Sequence, residues 1–367
     1  MSNAQETVLE IDLNALKHNF KYIKSKLHPT TKILAVVKAF GYGTDSFEIA
    51  SHLEKLNLDY FAVAYTKEGV SLREAGIKTP ILVLHPQPIH FETLIERSLE
   101  PSLYSARVLN SFIDIAKKKK QVNYPIHLKF NTGLNRLGFL GNDVDYIINI
   151  ISNAPQVKVK SIFSHLAVSE DSKEKEFTLQ QIQSFKTIAT AFKRKISYTV
   201  MLHQLNTSGV LNYPEAQFDM VRVGIGLYGF ANNEIDTKKL QNVASLKSVI
   251  SQIHHIEKGK SVGYNKAFIA DRTTKTATIP IGHADGIHRA FGNGKGYVTI
   301  NGEKAPIVGN VCMDMLMVNV TEIDCNEGDE VVVFNNQKTV NDLARNINSI
   351  SYEILTAISQ RVKRIVK

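Results

Sequence analysis

Only two cysteines, Cys312 and Cys325, occur in 367 residues, which excludes a disulfide framework and suits a reducing compartment such as the cytoplasm. No apolar run reaches membrane-spanning length, and the polar start Met1 to Glu6 offers no signal-peptide core, so no membrane partner is expected. Arginine-rich stripes and interleaved aromatic and basic residues are missing as well. The formal charge is +9, but the one dense basic run, Lys117 to Lys120, ends a helix-like stretch, where cations complement the helix dipole. Nucleic-acid binding is therefore not expected. There is no Gly-x-x-x-x-Gly-Lys-Ser/Thr loop, no low-complexity segment, and no repeat beyond a strand–helix alternation. No metal site is assigned. The composition that remains, 43% hydrophobic and 22% charged, is that of a globular protein long enough for two cores.

The most informative stretch is Ala35 to Tyr42, Ala-Val-Val-Lys-Ala-Phe-Gly-Tyr, because Lys38 closes a run too apolar for a charged side chain. Residues 33–37 have the length and β-branched content of a buried strand, and Gly41 and Gly43 break the chain just after it. Lys38 thus stands at a strand's C-terminal mouth, where α/β folds keep their chemistry. A desolvated lysine loses its proton more readily, and a neutral amine condenses with an aldehyde such as that of pyridoxal phosphate. The plainer alternative is a lysine that snorkels past the strand end to solvent.

Seven further segments repeat the pattern of apolar run, turn and amphipathic helix. Strands are expected at 33–37, 60–64, 81–84, 100–104, 126–130, 159–164, 199–203 and 219–223, with the clearest helices at 46–56, 106–119 and 174–194. Eight strands alternating with helices in about 220 residues point to an α/β fold, a (β/α)8 barrel. A doubly wound open sheet is the alternative, but no Gly-x-Gly-x-x-Gly turn follows Val37. After Gly229 the texture changes to short alternating segments, at 248–256, 276–281, 296–300 and 329–334, with one helix at 340–346. The expected division is a barrel over 12–235 and a mostly β domain from 236–367 joined by 1–11, whose strand 7–11 lies outside the count of eight.

At this point the chain resembles the pyridoxal-phosphate-dependent alanine racemases of fold type III, nearly end to end. The likeness is carried by Ala35 to Gly43, Ile126 to Gly138, Ser164-His165-Leu166-Ala167, His203 to Ser208, Val221 to Gly229, Val262 to Tyr264, Thr278 to Gly286, Val308 to Asp314 and Ser351 to Val362. It implies pyridoxal 5'-phosphate as cofactor, alanine as substrate, and a head-to-tail homodimer with shared sites. It also implies two catalytic residues on opposite faces of the substrate: Lys38, which carries the Schiff base, and Tyr264 from the partner subunit. His165 and Arg222 match the network around that tyrosine and the pyridine nitrogen. Arg222 would leave the nitrogen largely unprotonated, because an arginine does not donate its proton away. Read without the family, Arg222 is a strand-end arginine paired with Asp219 or another acid.

For the cofactor the resemblance implies Tyr42, and for its phosphate Asn206, Thr207, Gly224, Ile225 and Tyr352, which agrees with the phosphate corner usual after the last two strands of such barrels. Alone, Asn206-Thr207-Ser208 is just a turn. Lys129 and Arg136 flank Phe-Asn-Thr-Gly-Leu-Asn, and in the family this lysine is often carbamylated and orients the arginine beside the substrate carboxylate. The Met313 backbone N–H, between Cys312 and Asp314, is the partner-borne contact to that carboxylate.

Three departures from the family pattern stand out. Asn131 occupies the aspartate position of Asp-Thr-Gly. Ala39-Phe40-Gly41-Tyr42-Gly43-Thr44 replaces Ala-Asn-Ala-Tyr-Gly-His, a variant similar to the racemase portion of bacterial chains fused to a cell-wall peptide ligase. His283 stands where most relatives have an entrance tyrosine, which bears on strict alanine specificity. The expected function is racemisation of alanine supplying D-alanine for peptidoglycan. The alternatives are a broader-specificity racemase, a decarboxylase or D-threonine aldolase on the same scaffold, or a non-catalytic pyridoxal-phosphate carrier.

Overall fold

A computed structural model describes residues 5–367, so Met1 to Ala4, the start of the 1–11 segment assigned to the second domain, lie outside the described residues. The first strand, β1 (Val8–Ile11), leads into the helix Leu13–Lys24, whose N-terminus is capped where Asp12 Oδ1 accepts from the Ala15 N–H at 2.8 Å. Eight parallel strands then close a barrel: β2 (Lys32–Val36), β3 (Tyr60–Val63), β4 (Ile81–Val83), β5 (Glu100–Leu103), β6 (Tyr124–Lys129), β7 (Val157–Phe163), β8 (Met201–His203) and β9 (Met220–Val223). Closure is the pairing of β2 with β9, with Leu34 opposite Arg222. The expected barrel is therefore the observed one, and each strand starts or ends within two residues of its expected bounds.

The helices between strands form where a capping side chain precedes an apolar stripe. Asp45 accepts from Phe47 and Glu48 N–H groups to start Ser46–Lys55, and Ser105 caps Ala106–Lys118. Each buries that stripe against the barrel wall.

The rest of the chain builds a nine-stranded sheet from β1 and β10 (Ala244–Val249), β11 (Gln252–Ile256), β14 (Thr274–Ile279), β15 (Tyr297–Ile300), β16 (Glu303–Val308), β17 (Leu316–Asn319), β18 (Glu330–Phe334) and β19 (Lys363–Val366). A two-stranded ribbon, β12 (Ser261–Val262) and β13 (Phe268–Ile269), projects from it. Two details differ from expectation. The 248–256 segment is not one strand: β10 pairs with β1 and β18, whereas β11 pairs with β14, and the chain turns between them as Ile250 N–H binds Asp329 O and Ser251 N–H binds Thr278 O. The one expected helix is Gln337–Asn346, and a second, Ser351–Thr356, follows it and packs on the Lys38 turn. Among the described residues no helix is long and apolar enough to cross a membrane.

Candidate active site

Lys38 follows β2 directly, and the chain then makes one turn of left-handed helix. Ala39, Phe40, Gly41 and Tyr42 have φ of 53°, 54°, 62° and 54°, closed by Gly41 N–H to Val37 O and Gly43 N–H to Ala39 O. L-residues avoid this hand at about 1–2 kcal/mol each, so the surroundings must hold it. They do so from two sides. Glu68 accepts from the Ala39 N–H at 2.6 Å and from the Ala64 and Tyr65 N–H groups, while the Arg364 guanidinium donates to Gly43 O and Thr44 O and stacks over the Phe40 ring. Gly43 is obligatory: a Cβ there would lie 2.0 Å from Leu355 O. The Lys38 amine that this turn aims is held below the ordinary lysine range by burial and by Arg136, against a smaller opposing effect of Glu68.

Across the mouth, Arg222 in β9 is buried to 4% exposure and meets no carboxylate. Its Nη1 donates to His203 Nδ1 at 2.8 Å, and its Nη2 to Ser164 O, Gln204 O and His165 Nδ1. The Phe163 ring lies under the guanidinium at 5.2 Å. Burial pushes its pKa down to about 9, so it stays charged at neutral pH. Since a guanidinium only donates, His165 accepts at Nδ1 and carries its own proton on Nε2. Desolvation and Arg222 together keep that imidazole well below its usual pKa, hence neutral. The Asp219 pairing is thus not formed; Asp219 instead accepts from the Leu202 N–H.

Lys129 ends β6 and is 7% exposed, its pKa pushed down to about 8 by burial and then by Arg136, Arg222 and Lys38. Asn131 does the structural work of the missing aspartate, as its Oδ1 accepts from the Gly133 and Asn135 N–H groups while its Nδ2 donates to Asn135 Oδ1. At the opposite wall Asn206 caps the helix Thr207–Asn212 through the Gly209 N–H, and Thr207 Oγ1 accepts from Gly224 and Gly226 N–H groups. Tyr42 stacks on Tyr228 at 4.7 Å and tilts toward Tyr352 at 6.0 Å. Its hydroxyl comes so near Gly224 that a Cβ there would lie 2.3 Å away.

These groups converge. One cavity of about 580 Å³ is lined by Lys38, Tyr42, Lys129, Arg136, His165, Asn206, Thr207, Arg222, Gly224, Ile225 and Tyr352. Four cations line it and, among the described residues, no carboxylate does. Tyr65, Leu84 and His85 also line it; on this side Glu68, three residues after Tyr65 in a helix-start pattern, left a legible trace in the sequence.

Tyr264, Cys312, Met313 and Asp314 are elsewhere. Tyr264 is 71% and Met313 59% exposed on the β domain, and neither lines the cavity of its own chain. Their loops are nevertheless stiff. Asn310 Nδ2 donates to Tyr264 O, Cys312 O and Met313 O accept from the His283 and Ala284 N–H groups, and Arg361 bridges Asp314 and Asp285 at 2.6 Å each. His283 is therefore on this same exposed face.

The models of the alanine racemase N-terminal and C-terminal domains match residues 11–232 and 243–366. The chain belongs to the alanine racemase family. It is 36% identical to an alanine racemase of Clostridium novyi over 97% of this chain and 94% of that one. An alanine racemase structure from Clostridium difficile superposes with a TM-score of 0.93 at 32% identity, covering 100% of this chain and 97% of that one. One from Bartonella henselae, described with covalently bound pyridoxal phosphate, has a TM-score of 0.89 at 29% identity and covers 99% and 100% of the two chains.

Alanine racemases work with pyridoxal phosphate, and the residues of this cavity fit it. A dianionic phosphate and a carboxylate would neutralise a wall that otherwise gathers four cations without an acid. The Thr207 turn beside Gly224 offers N–H groups and hydroxyls at a helix start, and the lowered amine of Lys38 suits an aldehyde.

Proposed function

We propose that this chain interconverts L- and D-alanine, each active site being made from the barrel of one copy and the exposed β-domain loops of another. The observation that carries the reading is the cationic cavity around a deprotonation-prone Lys38, lined by no acid among the described residues. Lys38 is the anchor for pyridoxal phosphate, with Tyr42, Asn206, Thr207, Gly224, Ile225 and Tyr352 at its phosphate and Arg222 and His165 at its ring. When bound, the cofactor withdraws electrons and makes the substrate α-hydrogen acidic.

Lys38 Nζ then takes or returns the proton on one face, and Tyr264 Oη of a second copy serves the other. The Nε2 proton of His165, whose Nδ1 accepts from Arg222, is the hydrogen-bond donor left for that tyrosine oxygen. Arg222 gives hydrogen bonds but keeps its proton, which holds the electron sink weak and discourages side reactions. Arg136 and the Met313 N–H hold the substrate carboxylate, with Cys312 and Asp314 shaping that loop. Lys129, with a pKa near 8, has enough neutral amine to add carbon dioxide with loss of a proton, turning a cation beside Arg136 into an anion.

The remaining assignments follow from that chemistry. The barrel is 12–235 and the β domain 1–11 with 236–367; the site belongs to both. The chain acts as a homodimer in the cytoplasm, where its two thiols stay reduced, and supplies D-alanine for peptidoglycan. The likeness of Ala39 to Thr44 to ligase-fused racemases supports a product handed to a peptide ligase. The exposed His283 beside Met313 favours testing serine as a second substrate. The deciding experiment is an absorbance band abolished by borohydride together with loss of optical rotation from L-alanine. A band without loss of rotation would leave a cofactor carrier instead.

A further inference from the structure

Most barrels of this kind fill their interior with branched apolar side chains. Here a line of polar groups runs from Arg222 at the mouth to Glu100, the first residue of β5, at the opposite end. Arg222 Nη1 lies 2.8 Å from His203 Nδ1, and His203 Nε2 is 2.8 Å from Ser161 Oγ. Ser161 Oγ is 2.6 Å from His127 Nδ1, and His127 Nε2 is 2.6 Å from Glu100 Oε2. The five members come from the consecutive strands β5 to β9, and His127, Ser161 and His203 are fully buried.

The chain has one direction. Arg222 has only protons to give, so His203 Nδ1 accepts and the imidazole proton sits on Nε2. That proton goes to Ser161 Oγ, whose own hydrogen goes to His127 Nδ1, leaving the His127 proton on Nε2 against a carboxylate that only accepts. The polarity imposed at the arginine is the polarity required at the acid. A doubly protonated His203 would set two donors head to head at Arg222. A doubly protonated His127 would leave the buried Ser161 hydroxyl hydrogen without an acceptor, at the cost of an unmade buried hydrogen bond. At the far end the field of Arg73 and the Tyr60 hydroxyl keep company with Glu100.

We infer that Glu100, His127, Ser161 and His203 are positioning residues for the racemase reaction, a one-way hydrogen-bond chain that fixes the His203 tautomer and thereby holds Arg222 as a donor of fixed orientation. The assignment of a reaction to Arg222 rests on the function proposed above; the chain and its direction do not.

Two measurements test it, on the cofactor-loaded enzyme and on Ser161→Ala, Ser161→Thr and Glu100→Ala. Heteronuclear NMR of nitrogen-labelled histidines, assigned with His127→Asn and His203→Asn, reports each tautomer directly. Wild type should show His127 and His203 neutral with the proton on Nε2. Ser161→Ala and Glu100→Ala should shift the His203 signals and lower kcat about tenfold with little change in KM, as losses of outer hydrogen-bond partners do. Ser161→Thr, which restores the hydroxyl, should recover both. A His203 spectrum indifferent to Ser161→Ala, or a doubly protonated His127, overturns the chain; shifted tautomers with unchanged kcat overturn its positioning role. A wild type without racemase activity would instead sink the proposed function, and the NMR arm alone would then decide the chain.

Discussion

The barrel mouth and the exposed face of the β domain hold their functional groups in opposite ways. At the mouth, Lys38, Lys129 and Arg222 are each depressed first by burial, and the charges of Arg136, Arg222 and Lys38 depress Lys129 further. On the β domain, Tyr264 and Met313 stand in solvent on loops stiffened by backbone hydrogen bonds and by the Arg361 bridge. Buried cations without an acid are costly until an anion arrives, whereas exposed, pre-stiffened side chains cost little and gain once something covers them. Under the function proposed above, the first half meets a ligand and the second meets another copy of the chain.

The strongest way to break this comparison is at the mouth. Lys38→Ala should lower racemisation by more than roughly 1,000-fold, since the proposed anchor and one of the two proposed bases would be lost. Borohydride trapping followed by mass analysis should find no cofactor on the variant; near-normal turnover would refute the barrel half. On the exposed half, Tyr264→Phe should keep the bound-cofactor absorbance yet slow turnover on the order of 100-fold. Isotope effects unchanged in both directions would put the second base elsewhere. Mixing the two inactive variants under exchange sharpens the division, because half the dimers would pair them and hold one intact site. Recovery should reach roughly a quarter of wild-type activity per chain. Failure despite proven exchange would place the whole site in one chain.

Smaller effects probe the buried cations and the strained turn. Lys129 has a folded pKa of about 8 against an ordinary 10.5. Below the lower value both states are charged and the folded chain bears the full penalty; between the two only the unfolded chain keeps the proton, so stability rises with pH. Lys129→Met should therefore stabilise the cofactor-stripped protein by about 3 kcal/mol at pH 7 and by progressively less toward pH 10. Urea unfolding of both proteins across that range is the check, and a pH-independent difference would mean the lysine is not electrostatically burdened. Ala39→Gly, at the exposed left-handed position, should add about 1 kcal/mol by relieving strain. Destabilisation in the same assay would show that the turn is not strained there.

Much of the fold was legible because local patterns carry it. The runs 33–37, 60–64 and 81–84 are short and apolar, and the expected helices 46–56 and 106–119 begin just after the capping residues Asp45 and Ser105. The β domain was harder. Residues 248–256 contain no glycine or proline to mark a turn, and only the separate partners of β10 and β11 divide that segment. The edge strand β19, reading Lys-Arg-Ile-Val, has only two adjacent apolar residues and no alternation, and it exists through its parallel pairing with β1. Of the site, Lys38 stood out as a charge in an apolar run, but His127, Ser161 and His203 looked like scattered polar residues in barrel strands.

The sequence by itself determined the chemical repertoire: an amine at a strand's end, an arginine in place of an acid at β9, a tyrosine after Val-Gly, and no cysteine or metal-ligand pattern to compete with them. The tertiary structure decided what those groups do to one another. Barrel closure sets Arg222 beside His165 and His203, brings four cations around one cavity without a carboxylate, and leaves Tyr264 and Met313 on another face. The physical reason is that desolvation and Coulomb interactions depend on distances through space, and those are set by strand order and closure rather than by spacing along the chain.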